Sequence, residues 1–96
     1  MEFEWDNRKA LDNLRKHGVS FEQATQAFLD PLGIEWIDES EDYGEERSVL
    51  LAMAGQILIV LVHTDRSPDA QTQRIRLISA RRATRDEEDY YYRENG

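Results

Sequence analysis

The sequence predicts an α+β domain in which two N-terminal helices and a C-terminal helix pack on a three- to four-stranded antiparallel sheet. Three observations predict it. Two capped helical segments stand before residue 31. Three or four runs of β pattern follow, joined by short turns. A third capped segment then closes the chain. Strands joined by tight turns pair antiparallel, which places the helices together on one face.

The first helix starts at Trp5-Asp6, with Asp6 as N-cap. Ala10, Leu11 and Leu14 recur at helical spacing and predict its apolar stripe. Lys16-His17-Gly18 is a stop, with cations in the last turn and glycine for the left-handed position beyond it. Ser20-Phe21-Glu22-Gln23 predicts a capping box, and Phe21, Ala24, Ala27 and Phe28 line one face of the second helix. Asp30-Pro31 ends it, because a residue before proline avoids the α region.

The middle of the chain is β-patterned. Ile34 to Asp38 is a possible short strand, and the acidic stretch after it, closing at Tyr43-Gly44, reads as a loop. Arg47 to Ala54 and Ile57 to Thr64 form a hairpin around Gly55-Gln56. Ile57 to Val62 is apolar at every position, so that strand is placed centrally. Asp65 to Gln73 is a polar loop containing Pro68, and Arg74 to Ala80 is a further strand. Thr84-Arg85-Asp86-Glu87 is another capping box, opening a helix that carries Tyr90, Tyr91 and Tyr92.

Composition sets the broad class. At 96 residues the chain fits a single domain, 1–96. With 40% hydrophobic residues it can build a core. It has no cysteine, which excludes disulfides and thiolate metal sites and points to a reducing, cytoplasmic setting. The acidic N-terminus does not read as a signal peptide, and no apolar run is long enough to span a bilayer. The net charge of −8 argues against a protein that coats nucleic acid. The charge is polarised, however. Residues 74 to 85 hold Arg74, Arg76, Arg81, Arg82 and Arg85 without an acid, whereas 35 to 46 are acidic without a base.

The arginine strand is the segment most suited to an anion. Arg74 and Arg76 share one face at a spacing of roughly 6.6 Å, comparable to that of successive phosphates, while Ile75 and Leu77 face the core. Guanidinium groups grip phosphate bidentately and keep their charge. Arg81, Arg82 and Arg85 follow at the N-terminus of the last helix, whose dipole adds positive potential. The competing reading is a charged surface strand paired with nearby acids. Arg66 is either a neighbour of Arg76 or a solvated loop arginine. His63 is either a general base or a packed strand histidine, and His17 either an acid–base group or a helix-end cation. Lys9 is by itself an ordinary surface lysine, and Glu46 either a base or a solvated loop end. The three tyrosines cannot share one helix face, so one or two pack and the rest stay exposed. No histidine pair has metal-ligand spacing, and no phosphate loop or dinucleotide fingerprint is present.

Three separated blocks resemble a known family. Trp5-Asp6, Lys9, Asn13, Lys16-His17-Gly18-Val19-Ser20-Phe21-Glu22 and Ala24 resemble the start of the BrnT toxins. Glu45-Glu46-Arg47 and Val62-His63-Thr64-Asp65-Arg66 resemble their middle, and Arg74 to Thr84 is similar to their closing strand and helix start. The resemblance implies a RelE-like fold and a ribonuclease toxin of a type II toxin–antitoxin pair that halts translation. It implies neutralisation by a ribbon-helix-helix antitoxin, BrnA, and contact with operator DNA only through that antitoxin.

No metal or cofactor is expected, so the chain's own residues must supply a base, an acid and charge stabilisation at the phosphorane. On this resemblance Arg66, Arg76 and Arg81, supported by Lys9, stabilise charge, and Glu46, His17 and Tyr91 are the candidate base and acid. Arg74, Arg82 and Arg85 are expected to bind RNA. The alternative is a toxin-like binding module that has lost catalysis. Convergence of Arg66, Arg76 and Arg81 in an open groove favours the enzyme, and separate pairing with acids favours the module.

Overall fold

The computed structural model describes residues 1–39 and 45–96. The acidic positions Glu41 and Asp42 and the Tyr43-Gly44 loop end lie outside the described residues. In chain order the elements are β1 (Glu2–Glu4), α1 (Asn7–His17), α2 (Phe21–Ala24), a 3₁₀ helix (Thr25–Leu29), β2 (Ile34–Asp38), β3 (Arg47–Ala54), β4 (Ile57–Asp65), β5 (Arg74–Arg82) and α3 (Arg85–Asn95). No helix among the described residues is long and apolar enough to cross a membrane.

The strands form one sheet in the order β1-β5-β4-β3-β2. The α+β class holds, but two features of the expected sheet are corrected. It has five strands rather than three or four, and it is mixed, because β1 runs parallel to β5 with Glu2 opposite Arg74 and Glu4 opposite Arg76. A three-residue strand carries too little pattern to be read from sequence. It forms because Phe3 enters the core against Phe28, with ring centroids 5.3 Å apart, while Glu2 and Glu4 meet arginines on β5. The other three pairings are antiparallel, and β4 is central, as its unbroken apolar run requires.

The placement of helices on one face is also corrected. Leu50, Ala52, Ala54, Ile59, Leu61, Ile75, Leu77 and Ala80 face a core closed by Val19, Phe21, Ala24 and Ala27 from the N-terminal half. Val49, Leu51, Leu58 and Val60 form a second core on the opposite face, closed by Tyr91 of α3. Strands β3 and β4 are apolar at both parities, so both faces need a cover. The sheet is therefore sandwiched over part of its area, and the rest of the α3 face stays open.

Local signals behave as their chemistry dictates. Asp6 accepts the Arg8 and Lys9 N–H groups at 2.8 and 3.2 Å. Gly18 takes φ 70° and its N–H donates to the Leu14 carbonyl. Gly55, at φ 68°, turns the β3–β4 hairpin. The capping box at Ser20 is only half made: Ser20 accepts the Gln23 N–H, but the Gln23 side chain turns to the Ala54 carbonyl instead of reaching back. The helix it opens is one α turn that tightens into the 3₁₀ segment.

Of the apolar stripe expected on α1, Ala10 packs against the core but the two leucines do not. Leu11 and Leu14 are exposed, and Asn13 is buried. Asn13 donates to the Val19 and Ala80 carbonyls at 3.0 and 2.7 Å and accepts the Ala80 N–H at 3.0 Å. It thereby ties α1 to β5 just past the irregularity where β5 shifts register on β4 between Val62 and His63.

Candidate active site

Alternation along β5 sets out the arginines. Ile75 and Leu77 are buried, and Arg74 and Arg76 project to the opposite face, the one α3 only partly covers. Neither is free. Arg74 donates to Glu2 through Nε at 3.0 Å and Nη2 at 2.9 Å, and Arg76 donates to Glu4 at 2.7 Å. About a third of the Arg76 side chain remains in solvent, at 32%. The carboxylates hold both guanidinium groups beside the β1–β5 ladder.

Arg66 lies at the same end of the sheet. Its N–H donates to the Arg74 carbonyl at 2.9 Å, and its guanidinium pairs with Glu45 at 3.0 Å. Glu46 is adjacent in chain, and its carbonyl accepts the Thr64 hydroxyl at 2.8 Å. Thr64 stands opposite Arg76 across the β4–β5 ladder. Four of the residues singled out from sequence, Glu46, Arg66, Arg74 and Arg76, are thus gathered at one end of the sheet.

Arg81, Arg82 and Arg85 are not part of that group. Five residue steps along β5 separate Arg76 from Arg81, roughly 16 Å at strand rise. Arg81 forms a bidentate pair with Glu87 at 2.8 and 2.9 Å. That pair lowers the Glu87 carboxyl to about 2 and raises the Arg81 guanidinium further. Arg82 and Arg85 are exposed, with no ion pair to them among the described residues.

Lys9 and His17 lie together on α1, lining a shallow cavity of about 240 Å³ with Asp12, Asn13, Lys16, Ile78 and Ser79. Lys9 and Arg76 both act on the Asp6 carboxyl. That group is held below its usual range chiefly by the Lys9 and Arg8 N–H groups, then by these two cations. Lys9 therefore flanks the arginine end through the β1–α1 junction, with His17 two turns further along the helix. Tyr91 is elsewhere: it is buried, its hydroxyl donates to Asp30 at 2.6 Å, and burial with that bond pushes it up to about 12.

One arrangement the sequence reading did not assemble is a pocket of about 290 Å³ lined by Phe28, Glu35, Glu46, Ser48, His63, Asp65, Gln73 and Ile75. His63 is buried, packs edge-on to Phe28 and lies 3.1 Å from Glu35 through Nε2. Burial lowers its pKa despite the opposing pull of Glu35, so the imidazole favours the neutral state. A packed strand histidine was one of the two readings open at this position, but only the β2–β3–β4 register brings Glu35 to it. Three carboxylates line the pocket beside a neutral ring, which makes it unsuited to a phosphate.

Residues 5–87 match the family model described as "Ribonuclease toxin, BrnT, of type II toxin-antitoxin system". No curated protein matches the chain.

Proposed function

The chain belongs to the BrnT family of ribonuclease toxins of type II toxin–antitoxin systems, and from that premise we propose that it is an endoribonuclease whose RNA backbone is gripped by Arg74 and Arg76 on the open face of β5. The observation that carries this reading is the family match over residues 5–87; in the fold, Arg74 and Arg76 stand side by side on a face that α3 leaves open, although each is paired with a carboxylate. Half-exposed ion pairs of this kind contribute little to stability. A phosphate can take the place of each carboxylate, since guanidinium binds both kinds of oxyanion. Their same-face spacing of roughly 6.6 Å suits successive phosphates.

In this reading cleavage is metal-independent, with cationic side chains supplying the charge stabilisation. Arg76, flanked by Arg66 and Lys9, stabilises the charge that builds on the phosphorane. Glu46, at the same end of the sheet but lining the Phe28–His63 pocket rather than the arginine face, is the first candidate base for the 2′-hydroxyl, and His17 the second. Tyr91 drops out of the acid–base set, because its hydroxyl is committed to Asp30. Arg81 is assigned to holding α3 through Glu87 rather than to the phosphorane. Arg82 and Arg85 remain candidates for distal RNA contacts. A ribbon-helix-helix antitoxin neutralises the enzyme, and contact with operator DNA runs through that partner.

A second reading is favoured by a specific observation. Arg66, Arg76 and Arg81 are each paired with a carboxylate and do not converge in one groove. That is the pattern of a toxin-like binding module without catalysis, and the net charge of −8 also slows approach to a polyanion. Induced expression in a bacterial host, beside an Arg76→Ala control, decides between them. Growth arrest with RNA degradation in the unmodified chain alone establishes the ribonuclease. Normal growth with soluble, folded protein of both kinds establishes the module.

A further inference from the structure

The other flank of the α3 face carries an apolar groove that the RNA site does not use. Trp36, Leu51 and Tyr90 line a cavity of about 320 Å³, with Asp86 and Glu87 on its rim. Trp36 and Tyr90 are 41% and 38% exposed and stand together at this groove. Trp36 belongs to β2, the last strand of the sheet, and no described residue pairs with its outer edge. An open edge is a template for an added strand.

Charge selects the occupant. Asp86 stands on the rim, and the strand and the residue after it carry Glu35, Asp38 and Glu39, with Glu87 already paired to Arg81 and Glu35 to His63. An RNA backbone is repelled from this edge. A second copy of the chain meeting it about a two-fold axis brings acid against acid. A segment in which apolar residues alternate with lysine or arginine suits it: the apolar side chains enter the Trp36–Tyr90 groove and the basic ones meet the rim.

We propose that the β2 edge and the Trp36–Tyr90 groove are the docking site for an extended, basic and apolar segment of the antitoxin, distinct from the arginine end of β5. The inference rests on the reading of the chain as a toxin held by an antitoxin. Tryptophan and tyrosine are the residue types that most often dominate binding energy at such contacts. Because the groove and the Arg74–Arg76 face lie at different strands of the sheet, grip and catalysis are separable by mutation.

The test is calorimetric titration of the purified antitoxin into the unmodified chain and into Trp36→Ala and Tyr90→Ala, with RNA cleavage assayed on the same proteins. Both replacements should weaken binding by at least roughly tenfold, and raising the salt concentration should weaken it further. Cleavage by the free variants should stay at the level of the unmodified chain. A Trp5→Phe variant leaves Trp36 as the sole tryptophan, and its emission should shift to the blue as antitoxin binds. Unchanged affinity in Trp36→Ala, an unresponsive Trp36 emission, or loss of a chain dimer in Trp36→Ala each overturns the proposal. Absence of cleavage by the unmodified chain overturns the ribonuclease reading instead, and the titration still decides the groove.

Discussion

Arg81 and Glu87 face each other through two hydrogen bonds of 2.8 and 2.9 Å, and the same Glu87 carboxylate accepts the Thr84 N–H at 2.8 Å. One side chain therefore closes the capping box of α3 and anchors that helix to the end of β5. The bidentate geometry is the kind that strengthens an ion pair beyond a single contact. In the proposed reading this pairing assigns Arg81 to holding α3 rather than to the phosphorane.

The first prediction follows from that pair. Glu87 is depressed from 4.5 to about 2, so its contribution is fully present above the unfolded value and is lost as pH falls through the window from about 4.5 to 2. Glu87→Gln should cost about 1 kcal/mol near neutral pH, less than the full shift implies, because the Arg81 side chain is 41% exposed and solvent screens the pair. The gap in Tm between the two proteins should close across that acid window. A gap that is constant with pH removes the carboxylate as its source.

Replacing Arg76 tests the proposed phosphate grip. Arg76→Ala should leave Tm nearly unchanged, because a half-exposed pair contributes only about 0–1 kcal/mol, and should lower RNA cleavage by about 10²-fold or more. Thermal unfolding and a fluorescent-RNA cleavage assay on one preparation separate the two effects.

Glu4→Gln should act in the opposite direction. With Glu4 neutral, Arg76 is released and one negative charge leaves the RNA face. Affinity for single-stranded RNA, measured by anisotropy at low salt, should rise several-fold. An unchanged or weaker affinity argues that Arg76 does not contact the backbone.

Tyr91 and Asp30 should behave as a structural clasp. Asp30 accepts the Tyr91 hydroxyl at 2.6 Å, the Met53 N–H at 2.8 Å and the Leu32 N–H at 2.9 Å. Tyr91→Phe should destabilise by about 1–3 kcal/mol in urea unfolding and leave the pH profile of RNA cleavage unchanged. A change in that profile would return Tyr91 to the acid–base set.

Asn13→Ala should be the costlier replacement, at about 2–4 kcal/mol, because it strands the Val19 and Ala80 carbonyls and the Ala80 N–H in the interior. Leu14→Ala, two turns of chain from the same helix start but exposed, should cost well under about 1 kcal/mol. Denaturant midpoints for the two variants check the order.

Much of the fold was legible in the sequence because its signals are local. Asp6, Gly18 and the Thr84–Glu87 box act within four residues of themselves, and β2 and β3 begin and end where their patterns predict. The alternation of Arg74 and Arg76 against Ile75 and Leu77 follows from strand geometry alone. What the sequence could not contain was the choice of partner across long separations. The parallel pairing of β1 with β5 joins residues 72 positions apart and supplies the acids that occupy Arg74 and Arg76. Burial of Asn13 instead of Leu14 depends on the carbonyls that β5 presents to α1, and the meeting of His63 with Glu35 depends on two strand registers. The side taken by α3 depends on the second apolar face of β3 and β4 needing cover. Caps, turns and alternation are set by nearest neighbours in the chain, whereas burial, charge partners and the grouping of the arginines are set by packing, which only the assembled sheet decides.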